Sequence, residues 1–187
     1  MKHRTHEAVG CAVTLAICAA TDTGPVLAAG AACASLLGSR LPDADQLGAH
    51  IHRRTRAERR SLTAALAMSA LRLPLTIFAV VAKHRGVSHW LLSGVLVTGL
   101  VCAAVAAAWP PLALPAALGA GCGYLMHLLA DACTPHGAPL LGPFRRRRVC
   151  LLPPGRCIRT GGRGDLLVLI TATVSTAALA IAILQGT

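Results

Sequence analysis

The chain has 187 residues, 55% of them hydrophobic, 13% charged and only 3% aromatic, with a formal net charge of +11. A mean hydropathy of +0.62 excludes an ordinary soluble domain and implies an all-α, polytopic membrane bundle built mainly from Ala, Leu and Val. The basic residues cluster at Lys2–Arg4, Arg40–Arg60, Lys83–Arg85 and Arg145–Arg163, alternate with apolar runs, and have few aromatics beside them for base stacking. That pattern suits the flanking loops of a membrane protein and argues against a nucleic-acid surface.

In chain order, Met1–Glu7 is polar and carries His3 and His6 ahead of the apolar run Ala8–Ala20. Thr21–Pro25 is a turn and Val26–Leu37 is apolar again. Each run is shorter than the ~20 residues that cross a bilayer, so the pair is expected to form a tight helical hairpin buried against other helices. Gly38–Arg60 is a polar loop in which Asp43 and Asp45 flank Ala44 directly after Leu41-Pro42. Two carboxylates at i and i+2 in a proline-initiated turn can face one cation, and without a positive partner each raises the cost of ionising the other. Ser61–Ala82 is apolar but interrupted by Arg72 and Pro74 and is basic at both flanks. It is expected to be re-entrant or interfacial. Lys83–Trp90 reads KHRGVSHW, with His84 and His89 bracketing Arg85-Gly86.

Leu91–Ala108 is a clear span and Trp109-Pro110-Pro111 an uncharged turn, after which Leu112–Cys133 returns. Near its end His127 and Asp131 stand four residues apart, which on a helix places them on one face. Thr134-Pro135 then stops the helix, because the residue before proline avoids helical geometry. An ionisable pair at the end of an apolar helix is costly and is a functional candidate by default. Thr134–Arg148 is rich in Pro and Gly, the loop runs on to Gly164, and Asp165–Leu184 is the last apolar helix, opened by Asp165. No CxxC occurs, and Cys11, Cys18, Cys33, Cys102 and Cys122 lie within apolar runs, with Cys133 close to the end of one. All eight cysteines, including Cys150 and Cys157 in the basic loop, are therefore read as structural thiols.

The positive-inside rule puts the N-terminus and every basic loop in the cytoplasm, with loops over 38–60, 83–89 and 142–164, and puts the turns Thr21–Pro25 and Trp109–Pro111 on the far side. The whole of 1–187 then forms one integral membrane domain. His6, Asp43, Asp45, His84, His89, His127, Asp131 and Asp165 fall at the same face. A mixed His/Asp set suits Zn, Mn or Fe better than Mg or Ca. With more than four candidate donors, either one ion or a carboxylate-bridged pair is compatible. His3, His50, His52 and His136 read as loop histidines, and Tyr124 and Trp90 as packing and interfacial anchors.

Three blocks, Leu41-Pro42-Asp43-Ala44-Asp45, His84-Arg85-Gly86-Val87-Ser88-His89, and Gly123–Asp131 followed by Thr134-Pro135-His136-Gly137, resemble the YdjM-type inner-membrane proteins of bacteria. These are described as membrane-bound metal-dependent hydrolases. The resemblance runs from Thr5-His6 through the basic segment after Pro143. It implies His6, Asp43, Asp45, His84, His89, His127 and Asp131 as the polar, metal-holding set, and a bacterial inner-membrane location; Arg85 and Asp45 are the residues expected in catalytic roles. Gln46 stands where the family often has His, Ser88 keeps the hydroxyl of a common Thr, and Asp165 matches an acidic residue that often opens the last helix. The expected activity is hydrolysis of a phosphoester or other ester at the cytoplasmic membrane face, with Arg85 holding a substrate phosphate and membrane lipid as surroundings or substrate. The competing readings are a metal-ion transporter and a purely structural membrane protein.

Overall fold

The computed structural model describes residues 1–43, 86–145 and 147–186. Among them are five α-helices and no strand. Helix α1 is His3–Ala20, α2 Pro25–Arg40, α3 Leu91–Ala108, α4 Pro110–Ala132 and α5 Arg163–Gln185. Short 3-10 turns cover Leu41–Asp43 and Val87–His89. The expected re-entrant segment Ser61–Ala82 lies outside the described residues, as do Asp45, Gln46, His50, His52, His84 and Arg85.

Proline opens both return helices. Pro25 starts α2 and Pro110 starts α4, positions where a missing N–H costs nothing and the fixed φ is already helical. The turn between α1 and α2 contains Asp22 at φ 49°, a left-handed conformation that Asp tolerates better than most residues. At the other end α4 stops at Ala132, where Thr134 returns its hydroxyl to the Asp131 carbonyl at 2.7 Å and its amide to the same oxygen at 3.0 Å. This agrees with the break expected before Pro135.

Helices α3, α4 and α5 are long and apolar enough to cross a membrane. At 1.5 Å per residue, 18 to 23 residues reach about 27–35 Å. No residue of α3 is buried within the molecule, and Leu100 is 70% exposed on a helix of mean hydropathy 2.3. Such a surface suits a hydrocarbon environment rather than water. The α1–α2 hairpin has halves of 18 and 16 residues and packs inward, α1 against α2, α4 and α5, and α2 chiefly against α4.

The α2–α4 contact sets the geometry of everything near it. Gly119, Gly123, His127 and Asp131 follow one another at four-residue spacing on α4, so they form one row along the helix. A Cβ on Gly119 would lie 2.0 Å from the Ala31 carbonyl oxygen, and one on Gly123 would lie 2.1 Å from that of Ser35. From α2, Gly38 returns the contact, its hypothetical Cβ meeting the Ala120 carbonyl oxygen at 2.2 Å. Small residues at this spacing let two backbones touch, the device that replaces hydrophobic driving force between helices in lipid. Behind this seam, Tyr124, Leu128 and Ala132 occupy the neighbouring row of α4 and pack with Ala138 and Leu140.

The segment after α4 is tied back onto it. Ala138 and Val149 pair through two backbone hydrogen bonds of 3.1 and 2.8 Å, Leu151 N–H donates to the Ala132 carbonyl at 2.9 Å, and Ile158 N–H to that of Cys133 at 3.0 Å. All eight cysteines are free thiols. Every described Lys and Arg lies at the end where α1, α3 and α5 begin and α2 and α4 stop, while the opposite turns carry none.

Candidate metal centre

The row on α4 ends, at the basic face of the bundle, in His127 and Asp131, which are 1% and 3% exposed. Each of the other elements at this end brings a side chain to them. Helix α1 supplies His6 from its first turns, the 3-10 turn after α2 supplies Asp43, and the 3-10 turn before α3 supplies His89. Asp131 Oδ1 lies 3.6 Å from His6 Nε2 and its Oδ2 lies 3.5 Å from His89 Nε2. Asp43 Oδ1 is 3.8 Å from His89 Nε2 and its Oδ2 is 3.8 Å from His127 Nε2. The His6 and His127 rings stack with centroids 4.1 Å apart, which closes the ring of five donors.

These separations exceed an N–H···O hydrogen bond. They are close to the ~3.4 Å expected between ligand atoms that surround one cation tetrahedrally at ~2.1 Å. Two overlapping groups, His6–His127–Asp131 and Asp43–His89–His127, keep one donor atom from each member within 4.8 Å of the others. His6 Nδ1, His89 Nε2 and His127 Nε2 are buried without a hydrogen bond. Leaving one such nitrogen unsatisfied costs about 1–3 kcal/mol, and two of them, His89 Nε2 and His127 Nε2, face the Asp43 and Asp131 carboxylates, where a divalent cation would satisfy them. The residues therefore fit a metal ion. Their neutral nitrogens and carboxylate oxygens match Zn, Mn or Fe chemistry.

Supporting contacts fix the imidazoles. His127 Nδ1–H donates to the Ser39 carbonyl oxygen at 2.7 Å. A carbonyl can only accept, so this bond places the proton on Nδ1 and turns the Nε2 lone pair toward the centre, the usual outer-shell arrangement of a metal-binding histidine. His89 Nδ1 is 3.2 Å from Ser88 Oγ, and the Tyr124 hydroxyl donates to the Ser88 carbonyl. His6 lies ahead of the apolar run Ala8–Ala20. It is 2% exposed and turns Nε2 toward Asp131 Oδ1. A ligating imidazole is neutral.

Of the seven expected ligands, the structure brings His6, Asp43, His89, His127 and Asp131 together, while Asp45 and His84 lie outside the described residues. The same is true of Arg85, so neither residue expected in a catalytic role is described. Three readings change. Tyr124 is more than a packing residue, since it holds the turn that carries His89. His3 is more than a loop histidine. One turn before His6 on α1, its Nδ1 lies 3.3 Å from Asp43 Oδ2 while the side chain remains 64% exposed, so it stands at the mouth of the centre. Asp165 belongs to neither donor group. Its carboxylate accepts from Thr5 Oγ1 at 2.7 Å, Gly161 N–H at 2.7 Å and Lys2 N–H at 3.2 Å, which pins the first turn of α1 to the start of α5. His136 is exposed, as expected. Nearby, Arg40 Nε donates to Glu7 Oε1 at 2.7 Å and joins the end of α2 to α1.

Ser39 was missed from the sequence because it acts through its backbone. The signal that leads to it is the Gly119–Gly123 pair, a GxxxG spacing that marks where another helix approaches.

Fold and site together define a polytopic α-helical membrane protein with a buried His/Asp cluster, able to hold a metal ion, at its basic end. The chain belongs to the family described as YdjM inner membrane protein, whose model matches residues 1–185. No curated protein and no solved structure matches it.

Proposed function

We propose that the protein is a metal-dependent hydrolase that acts at the cytoplasmic face of the inner membrane on a phosphoester or other ester. The observation that carries this reading is the closed ring of His6, Asp131, His89, Asp43 and His127, in which the Nε2 atoms of His89 and His127 are buried, face the carboxylates and lack hydrogen bonds. A structural bundle gains nothing from that arrangement, because pairing each imidazole by an ordinary hydrogen bond would stabilise it more. A transport path needs polar groups through the membrane depth, whereas these donors gather at one end of the helices.

A divalent ion in this shell supplies Lewis acidity and activates water at neutral pH. The protein's own groups do the rest. Asp43 and Asp131 balance the cation's charge and each spans two imidazoles. His127 belongs to both donor groups, and its one available nitrogen can serve a single ion, which favours one ion over two among these five residues. His3 stands at the exposed rim beside Asp43, between the centre and solvent. Arg85, one residue before the Gly86 turn, keeps its proposed role in binding the anionic part of a substrate, and Asp45 its proposed catalytic role. The basic residues at the same end support a cytoplasmic orientation.

The test is elemental analysis of the purified protein, followed by hydrolysis of a panel of phosphoesters and carboxylic esters with metal-stripped and reloaded samples. Stoichiometric metal and metal-restored turnover, both lost in His127→Ala, are expected. A folded protein that binds no Zn, Mn or Fe would refute the reading.

A further inference from the structure

At the start of α3, two residues beyond His89, lies an open groove of about 280 Å³. Leu91 and Leu92, from the first turn of α3, form one wall, and Leu140, Leu141 and Phe144 form the other, with Arg145 at the rim. The Leu91 N–H donates to the Leu140 carbonyl at 3.0 Å, which joins the walls at their base. Gly142 closes the groove against the Trp90 indole so tightly that a Cβ there would stand 2.1 Å from Nε1. Phe144 is 86% exposed, an unusual state for a phenyl ring facing water.

Helix α3 indicates what covers these walls. It is a membrane-spanning candidate with no residue buried in the molecule, so its outer surface meets hydrocarbon. The groove sits at the end of α3 where the basic residues gather, and it is therefore level with the boundary between acyl chains and headgroups. Along its length it changes from apolar side chains to a guanidinium, with exposed Arg147 and Arg148 just beyond. An acyl chain followed by a phosphate has the same order of chemistry.

We propose that this groove seats one acyl chain of an anionic phospholipid, with the lipid phosphate on Arg145. The seat is independent of the hydrolase reading. Combined with that reading, and resting on it, the seat names a phospholipid ester as the substrate class, because His89 and Leu91 are two residues apart and face the centre and the groove respectively.

The full-length chain contains two tryptophans, so Trp109→Phe leaves Trp90, which backs the groove, as the single fluorophore. The protein is reconstituted without metal in phosphatidylcholine vesicles doped with dibrominated phosphatidylglycerol or dibrominated phosphatidylcholine. Trp90 should be quenched at a lower mole fraction of the brominated anionic lipid than of the zwitterionic one. Arg145→Gln should shift the anionic curve roughly fivefold, the contribution of one basic residue beside an anionic leaflet. Leu141→Asp, at an exposed position, should weaken quenching by both lipids. Equal quenching by the two brominated lipids, or an unchanged preference in Arg145→Gln, would overturn the proposal. Because the readout is lipid contact in metal-free protein, failure here leaves metal content and turnover unaffected, and their failure leaves this result standing.

Discussion

The clearest test of the link between packing and site is Gly123→Ala. The new methyl carbon would stand 2.1 Å from the Ser35 carbonyl oxygen and 2.9 Å from Ser39 N, where ordinary contact begins at 3.4 Å. Both atoms are backbone, so no side chain can swing aside, and α2 must retreat by about 1.3 Å. Ser39 moves with it. A bond of 2.7 Å between its carbonyl and His127 Nδ1 then stretches to about 4 Å, beyond hydrogen-bond range. Losing the outer partner of a metal-binding histidine costs about 10–100-fold in metal affinity, and the overpacking itself about 1–3 kcal/mol of stability. The assay is competition with a chromophoric chelator in detergent, with thermal unfolding of the same samples. Gly99→Ala, where nothing lies within 4 Å, is the control and should leave both quantities unchanged. If Gly123→Ala binds Zn or Mn as tightly as the parent, or if the control falls equally, the coupling of seam to site is wrong.

Four further outcomes are expected. His127→Ala should weaken metal binding by about 10²-fold or more, one ligand's share of a four-ligand zinc site, and by more than His6→Ala, since only His127 belongs to both donor groups; chelator competition measures both. Tyr124→Phe keeps the buried ring but removes the hydroxyl that holds Ser88, so metal affinity should fall by up to about 10-fold, with far-ultraviolet circular dichroism unchanged. Asp165→Asn should lower stability by about 1–3 kcal/mol through imperfect pairing of Thr5, Gly161 and Lys2, read as a lower midpoint of unfolding. Removing metal with a chelator should lower the unfolding midpoint reversibly, and saturation at 1,000 times Kd should restore about 4 kcal/mol.

Much of the helix layout could be read from the sequence because apolar runs and proline–glycine breaks act locally. Pro110 and Thr134-Pro135 bound α4 as local rules require. The spacing of His127 and Asp131 likewise fixed their common face. What local rules do not carry is which helix touches which. The approach of α2 to α4 depends on Gly38, Gly119 and Gly123 meeting backbone atoms more than 80 positions away, and the Ser39 carbonyl has no side-chain signature. His3 reads from sequence as a loop histidine, because its relation to Asp43 depends on how α1 docks. The histidines His6 and His89 were legible only as members of a set, since neither has a sequence neighbour that explains its burial.

The clamp at Asp165 has a consequence for biosynthesis. His6 emerges from the ribosome early, yet the carboxylate that anchors its turn belongs to the last helix made. A nascent chain halted before Gly161 would already contain all five donors, but Thr5 and Lys2 at the start of α1 would lack the carboxylate that holds them. That clamp can close only after α5 has been made and docked beside α1, so the surroundings of His6 are completed at the end of assembly.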